Sequence, residues 1–227
     1  MKKLLLCIMA AVMMTAACKK DDVLVRHEQD MVLITDGKMV TDNGLVFNVV
    51  KNDMTPEWTG WKRAFITCDV LRKVSDKEYD IHLTNIHQAL LKDIVAVGDL
   101  SDEEMGDDPI DITSCWVSGD YINLISRLVY DPASGKAHFI NFVYLGEEDG
   151  VLRFRLRHNS YGEYFGAPGM EPPFTLGSSY ASFPIGKYIP EGKDQVQIEI
   201  IWKWHVMSAG VLTPDTEIKS ARIRLRR

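Results

Sequence analysis

The 227-residue sequence predicts an exported, all-β protein with two halves, the second of which forms an antiparallel β-sandwich. Three observations support this prediction. An apolar run near the N-terminus ends at a cysteine, short segments of alternating apolar and polar residues follow, and one acidic stretch interrupts the alternation near the middle. The alternation has a period of two, which is typical of half-buried strands and not of helices.

The first residues have the order of a lipoprotein signal peptide. Lys2 and Lys3 precede an apolar run over 4–17, and Cys18 follows at once. The run is shorter than the roughly 20 apolar residues that a membrane-spanning helix needs. We therefore expect residues 1–17 to be removed and Cys18 to be lipidated. The alternative is a secretory signal without lipidation.

A lipid on Cys18 would make the envelope membrane a partner of the protein. Each buried acyl CH₂ contributes about 0.8 kcal/mol, so two or three chains such as palmitate anchor a protein firmly. Residues 18–29 are polar and suit a short tether. Residues 19–22, Lys-Lys-Asp-Asp, resemble the acidic signals of surface lipoproteins. We expect a lipid-anchored protein of the outer membrane, displayed on the cell surface.

The charge of the chain disfavours a general affinity for nucleic acid. The formal net charge is −6, and removal of the signal peptide takes away two lysines and no acid. Non-specific binding to nucleic acid depends on clustered Lys and Arg. One short segment combines aromatic and basic side chains, as sites for single strands do: Trp58, Trp61, Lys62 and Arg63. In an acidic exported protein we nevertheless predict no nucleic-acid partner.

The first half reads as short strands joined by tight turns. Asp36-Gly37 and Asp42-Asn43-Gly44 are turn sequences between apolar runs. The predicted strands are 31–35, 38–41, 45–50, 62–70 and 79–83. The segment 84–93, TNIHQALLKD, predicts a short helix with Thr84 or Asn85 as its N-cap.

An acidic stretch separates the two halves. Residues 98–109 contain six acidic side chains, begin with Gly98 and end with Pro109. The spacing of the acids does not fit a calcium loop, so a solvated linker is the better interpretation. We place the first domain at 30–109 and the second at 110–227.

The second half alternates more regularly. Residues 196–206 place every second apolar side chain on one face, and the same pattern recurs over 152–157 and 221–226. The row of Arg153, Arg155 and Arg157 predicts a solvated face paired with acids. The segments 121–130 and 136–144 flank a turn sequence and predict a hairpin.

Two cysteines remain after the lipidated one, Cys68 and Cys115. An oxidising envelope compartment would allow them to form a disulfide. Cys68 shares one face of a predicted strand with Ala64, Ile66 and Val70, which favours the alternative of two separate buried thiols.

Three segments of the second half carry a family resemblance. CWVSGDYINLISRLVYD at 115–131, KAHFINFVYL at 136–145 and LRFRLRHNSYGEY at 152–164 resemble the NigD-like lipoproteins of Bacteroidetes. The resemblance is best over 112–202. It implies an N-terminal OB-like β-barrel domain and a C-terminal β-sandwich domain, with the segment 84–93 as the helix that OB folds often carry between their third and fourth strands. It implies no catalytic or ligand residues.

The sequence favours a protein that is not an enzyme. The six histidines form no HExxH motif, and residues 158–162, His-Asn-Ser-Tyr-Gly, lack the GxSxG elbow and predict a turn. His82 and His87 are interpreted as surface histidines. We predict no cofactor and no metal site. The preferred function is binding or display at the cell surface, with a glycan or an envelope protein as partner. An immunity-type or accessory protein is the first alternative, and an envelope hydrolase is the second.

Overall fold

The computed structural model describes residues 26–170, 175–193, 195–208 and 211–226. The signal peptide and Cys18 lie outside the described residues. No helix within these ranges is both long and apolar enough to cross a bilayer. The described chain is almost entirely β-structure, as predicted.

The N-terminal half is a closed five-stranded barrel. Its strands are β1 (Arg26–Thr35), β2 (Lys38–Thr41), β3 (Val46–Asn52), β4 (Arg63–Lys73) and β5 (Glu78–Gln88). Their order around the barrel is β1-β2-β3-β5-β4, and the antiparallel pairing of β1 with β4 closes it. Five strands closed in this order give the OB-like barrel that the resemblance implies. β1 begins at Arg26, inside the segment assigned to the tether.

Alternation in the sequence fills the barrel. Met39, Phe47, Ile66, Ile81 and Leu83 are buried in its core, while the residues between them on each strand are more exposed. The turn between β1 and β2 has Asp36 at φ 51° and Gly37 at φ 74°, the left-handed conformations that Asp and Gly tolerate best.

The predicted helix at 84–93 is wrong. Residues up to Gln88 belong to β5, and Leu90–Leu91 form a separate short strand, β6. A register shift lies opposite Thr84, where Thr67 pairs with Asn85 but Cys68 pairs with Leu83. This bulge moves the buried positions from a spacing of two to a spacing of three, which imitates a helical pattern. The slot between β3 and β4 holds only a 3-10 turn, Pro56–Gly60.

The C-terminal half is a β-sandwich of two four-stranded sheets. Its elements are β6 (Leu90–Leu91), the helix α1 (Asp102–Met105), β7 (Asp111–Ser118), β8 (Tyr121–Tyr130), β9 (Phe139–Glu148), β10 (Val151–Asn159), β11 (Thr175–Pro184), β12 (Gln195–Ser208) and β13 (Val211–Arg226). One sheet has the order β6-β11-β8-β7, and the other has the order β13-β12-β10-β9. Most neighbours are antiparallel, and the pairs β6/β11 and β10/β12 are parallel.

The predicted hairpin of 121–130 with 136–144 is also wrong. Both segments form strands, but β8 pairs with β7 and β11, whereas β9 pairs with β10. The apolar faces of β8 and β9 meet across the sandwich: Leu124 of one sheet and Phe142 of the other belong to the same buried core. The connection therefore crosses from one sheet to the other, and the two strands bury their apolar faces against each other.

The acidic stretch folds back on the second sheet. Ser101 caps α1 in a capping box with Glu104. Arg155 pairs with Asp107 at 3.0 Å, and Arg157 pairs with Asp102 at 2.9 Å. Together with the contacts of Arg153 to Glu148 and Glu199, these pairs confirm that the arginine row is a sheet face paired with acids.

The sandwich core extends to residues before the acidic stretch. Ile94 and Ile110, on either side of it, are both buried in the sandwich core. Leu90 and Leu91 pair with Ala181 and Ser182 of β11. The chain thus passes from the barrel to the sandwich close to Ala89. Separate folding of the two domains stays a prediction.

Candidate functional site

Barrel and sandwich meet around a buried arginine. Arg63, at the start of β4, has a side chain with no exposed surface, and Asp42, in the turn between β2 and β3, has a side chain that is 1% exposed. Arg63 Nη1 lies 2.6 Å from Asp42 Oδ1, and Arg63 Nη2 donates to Asp42 Oδ2 at 2.8 Å. The guanidinium also lies 4.4 Å from the centre of the Tyr121 ring. The contact is thus a two-pronged ion pair.

Three residues of the sandwich complete this junction cluster, which we define as Asp42, Arg63, Ser118, Asn123 and Ser182. Arg63 Nε donates to Ser182 Oγ at 2.9 Å, and Arg63 Nη2 donates to Asn123 Oδ1 at 3.0 Å. Ser118 Oγ donates to Asp42 Oδ2 at 2.6 Å, and Asn123 Nδ2 donates to the same oxygen at 2.9 Å. Because a buried charge requires such partners, the cluster fixes the sandwich to the barrel.

A glycine in the sandwich allows this close approach. Gly119, in the turn between β7 and β8, has φ 52°, and a Cβ built on it would lie 2.6 Å from the carbonyl oxygen of Asp42. Any larger residue would push the turn away from the barrel.

Aromatic rings extend the contact beside the cluster. The Tyr180 ring of β11 stacks on Phe65 with a centroid distance of 5.1 Å and on His87 with a centroid distance of 4.6 Å. Phe65 also makes an edge contact with Trp116 of β7. Such contacts contribute about 0.5–1.5 kcal/mol each beyond the area they bury, so they hold the edge of β11 near the barrel.

A cleft of about 700 Å³ opens next to these rings. We call it the junction cleft and define it by three stretches of chain: Gly60–Arg63, Gln88–Leu91 and Ser178–Tyr180. Trp61 and Tyr180 are half-buried in its wall, Leu90 and Leu91 are exposed, and Arg63 lies at its floor. Clefts of 300–1,000 Å³ at domain junctions, with apolar walls and a few polar groups, are the usual places for ligands.

A second, more apolar groove of about 250 Å³ lies farther along β11. Its lining includes Val129, Phe165, Leu176, Trp204 and Leu212. Leu176 and Ser178 alternate on the same face of β11, so the groove and the junction cleft are neighbours on one surface of the sheet.

Histidines and acids cluster beneath the sandwich surface, but they do not line a cleft. His158 Nδ1 lies 3.2 Å from the Pro109 carbonyl oxygen, and its Nε2 lies 3.0 Å from His138 Nδ1. Ser160 Oγ donates to Asp108 Oδ2 at 2.6 Å. His158 is 2% exposed and Ser160 is fully buried, and the adjacent cavity measures about 20 Å³. This serine and these histidines therefore cannot reach a substrate without a rearrangement.

Among the residues that the structure describes, no group of His, Cys, Asp or Glu has the arrangement of a metal site. His82 pairs with Asp53 at 2.7 Å, at a partly exposed position on the barrel surface. His87 instead stacks on the Tyr180 ring.

The two cysteines are free thiols in different parts of the fold. Cys68 is buried in the barrel core, and Cys115 packs against the sandwich core. Burial raises the pKa of each thiol to about 12. A thiol with so high a pKa is a poor nucleophile at neutral pH.

The aromatic and basic segment of the first half divides between core and cleft. Trp58 is 6% exposed and belongs to the barrel core, whereas Trp61, Lys62 and Arg63 line the junction cleft. Sequence reasoning missed the residues that face them. Tyr180 and Ser178 lie more than 100 positions farther along the chain, and no local pattern connects them to Trp61.

Three solved structures with the same fold come from Bacteroides species and are at most 21% identical to this chain. A protein of unknown function from Bacteroides vulgatus has a TM-score of 0.65 at 20% identity, over 87% of this chain and 90% of that chain. A NigD-like immunity protein from Bacteroides caccae has a TM-score of 0.58 at 21% identity, over 83% of this chain and 90% of that chain. A proposed lipoprotein from Bacteroides fragilis has a TM-score of 0.58 at 17% identity, over 89% and 99% of the two chains.

A comparison with curated proteins finds no match. The family comparison is more specific. The model of the NigD-like C-terminal beta sandwich domain matches residues 93–210, more than half of the chain, and its range includes the strands β7 to β12 described above. The chain therefore belongs to the NigD-like family.

Proposed function

We propose that this chain is a lipid-anchored, non-enzymatic binding protein of the cell envelope that takes up its partner in the junction cleft. The observation that carries the proposal is the cleft itself, an opening of about 700 Å³ between barrel and sandwich. Its wall combines Trp61, Leu90 and Leu91 with the polar side chain of Gln88, and this combination suits recognition more than bond cleavage.

The residues around the cleft support a binding role over an enzymatic one. Catalysis of hydrolysis uses a nucleophile, a base and an oxyanion site within hydrogen-bond reach of one another. Arg63 and Asp42, the charged pair at the cleft floor, are buried and are held by each other and by hydrogen bonds to Asn123 and Ser182. Lys62 alone among the cleft-lining residues carries a charge toward solvent.

The anchor part of the proposal rests on the N-terminal sequence. The apolar run ending at Cys18 has the order of a lipoprotein signal, and one solved structure of the same fold is described as a proposed lipoprotein. Replacement of Cys18 by Ser should abolish incorporation of an alkyne-labelled palmitate and release the protein from membranes. Retained labelling would contradict lipidation, and full protection from external protease in intact cells would contradict surface display.

Site-specific photo-crosslinking in intact cells tests the cleft. A photoreactive amino acid at position 62 stands in the cleft wall, whereas the same amino acid at position 76 stands in the exposed turn between β4 and β5, at the other end of β4. We expect a discrete crosslinked species from position 62 and none from position 76. Identical patterns from both positions, or no crosslink from position 62, would argue against the cleft as the binding site.

An immunity-type role is the second candidate. It is favoured by one observation, the description of a structure with the same fold as a NigD-like immunity protein. A cell that lacks this protein should then become sensitive to an antibacterial protein released by neighbouring strains. Full-length protein should restore resistance, and unchanged survival of the deletion strain in co-culture would count against this role.

A further inference from the structure

We propose that the partner in the junction cleft is an extended polypeptide that adds as a strand to the free edge of β11 at Ser178. This inference rests on the proposed function and names the class of partner for the same site. β11 runs from Thr175 to Pro184 and pairs with β8 along its whole length. On its other edge, it pairs with β6 only at Ala181 and Ser182.

The free edge faces the cleft. Ser178, Ser179 and Tyr180 all line the cavity, although consecutive side chains of a strand point to opposite faces. Three consecutive lining residues mean that the strand presents its edge to the cleft, so backbone groups are accessible there. An unpaired strand edge is a template for another strand.

The direction of the backbone groups follows from one hydrogen bond. Lys92 N donates to the Ser182 carbonyl oxygen at 3.2 Å, so the backbone N–H and C=O of Ser182 point toward the β6 edge. This direction repeats every second residue of a strand. The N–H and C=O of Ser178 therefore point into the cleft, while those of Ser179 point toward β8.

The chain joins this edge only at Ala181, past the level of Ser178, because β6 runs parallel to β11. Ala89, just before β6, donates its N–H to the Arg63 carbonyl oxygen at 3.0 Å and thereby joins the barrel instead of β11. No strand within the described ranges pairs with residues 175–180 on this side. The cleft is the space between β11 and the segment that leads from the barrel to β6. An extended backbone in this space would pair with β11 beside Ser178, in line with β6.

The edge also lacks the features that protect sheet edges. On β13, the outer strand of the other sheet, several basic residues occur along the edge strand: Lys219, Arg222 and Arg224. Such charges discourage the addition of another strand. The corresponding part of β11 has Gly177, Ser178 and Ser179, which are small and uncharged.

The charge and the apolar surface of the cleft indicate which side chains the peptide carries. Lys62 is exposed at the cleft wall and has no ion-pair partner among the described residues, and no described Asp or Glu lines the cleft. An acidic side chain in the peptide would complement Lys62. Leu90 is 42% exposed and Leu91 is 37% exposed, which provides apolar contact for alternate side chains of the added strand.

The test uses a phage-displayed library of random peptides and the full-length protein purified in detergent. Peptides that the protein enriches are synthesised, and their affinities are measured by fluorescence anisotropy. Ser178→Pro removes the N–H that points into the cleft and spares the ladder to β8, as prolines at sheet edges do. Ser178→Ala keeps the backbone and removes only the hydroxyl.

We expect Ser178→Pro to weaken the enriched peptide at least about tenfold and Ser178→Ala to leave its affinity within about twofold, since the hydrogen bonds are made by the backbone. N-methylation of the peptide at alternate backbone positions should reproduce the loss without any change to the protein. Thermal unfolding of each variant checks that the fold is retained.

Three results would overturn the inference. Strand addition would be excluded if Ser178→Pro bound the peptide as tightly as the wild-type protein does, and if N-methylated peptides bound as tightly as the unmodified peptide. The cleft would still stand as the binding site if Leu90→Glu abolished binding. No enriched peptide, together with hits on a glycan array that Leu90→Glu abolishes, would make the partner a glycan. Crosslinks that do not distinguish position 62 from position 76 would instead defeat the proposed function itself.

Discussion

Arg63 of the barrel and Asp42 of the barrel turn form an ion pair that the sandwich covers completely. The side chains are 0% and 1% exposed, and Ser182 and Asn123 of the sandwich accept hydrogen bonds from Nε and Nη2 of the guanidinium. An ion pair at this position makes the contact between barrel and sandwich specific, because the sandwich buries both charges of the barrel and has to supply hydrogen bonds in place of water.

Asp42→Ala should lower the free energy of unfolding by about 3–5 kcal/mol, because it leaves Arg63 as an unpaired buried charge. Urea denaturation followed by tryptophan fluorescence measures the change. Asp76→Ala is the matched control, since Asp76 pairs with Lys73 on the surface and its side chain is 99% exposed. The control should leave the stability unchanged. A loss no larger than that of the control would show that the junction cluster contributes little.

Acid should destabilise the protein through His158. Burial and the neighbouring His138 lower the pKa of His158 from 6.5 to about 4. The unfolded chain therefore binds a proton that the folded chain does not bind between pH 6.5 and pH 4. The contribution of His158 to the free energy of unfolding is therefore complete above pH 6.5. It decreases as the pH falls, by at most about 1.4 kcal/mol per pH unit for one proton.

His158→Leu should reduce this slope between pH 6.5 and pH 4, whatever it does to the absolute stability. His27→Leu is the control, because the His27 side chain is 78% exposed on β1. Unfolding free energies measured across this pH range give both slopes. The same slope in the wild type and in His158→Leu would show that another group causes the acid sensitivity.

Cys68 and Cys115 should resist alkylation in the folded protein. Both are free, and burial raises both pKa values to about 12. Iodoacetamide at pH 8 should label neither thiol under native conditions and both in denaturant, as intact mass spectrometry would detect. A cysteine placed at the exposed Ser75 serves as the positive control. Protein purified from cells that lacks two hydrogens and resists alkylation even in denaturant would instead contain the disulfide.

A fragment of residues 89–227 should fold by itself, whereas 112–227 should not. The longer fragment retains β6, Ile94 and Ile110, all of which contribute to the sandwich. Loss of two buried isoleucines costs about 2–5 kcal/mol each, which is a large part of a domain's stability. Near-ultraviolet circular dichroism and thermal unfolding compare the two fragments. A cooperative transition in 112–227 would contradict this expectation and support a boundary within the acidic stretch.

The sequence predicted strands better than it predicted the pairing of strands. Alternation located β10, β12 and β13 and identified the outward row of Arg153, Arg155 and Arg157, because the side-chain direction in a strand depends only on local spacing. It failed at Thr84, where a bulge breaks the period. It also failed between β8 and β9, because nothing in a turn sequence says whether the chain returns to the same sheet or crosses to the opposite one.

The cleft was less predictable still. Trp61, Lys62 and Arg63 attracted attention as an aromatic and basic segment, but the sequence could not separate Trp58, which is in the core, from Trp61, which is in the cleft. The free edge at Ser178 depends on a hydrogen bond from Ala89, between β5 and β6, to Arg63 at the start of β4, and the two residues are 26 positions apart in the chain. A contact of this kind becomes visible only when the fold is known.

The register of β1 with β4 determines how the protein would stand on a membrane. Arg26 pairs with Val70, and Leu33 pairs with Arg63 beside the sandwich. At about 3.3 Å per residue, the start of β1 lies roughly 23 Å from the junction. With Cys18 lipidated, the eight residues before Arg26 span at most about 28 Å. A lipid anchor of this length would keep the Arg26 end of the barrel close to the bilayer and the junction cleft at the end farther from it.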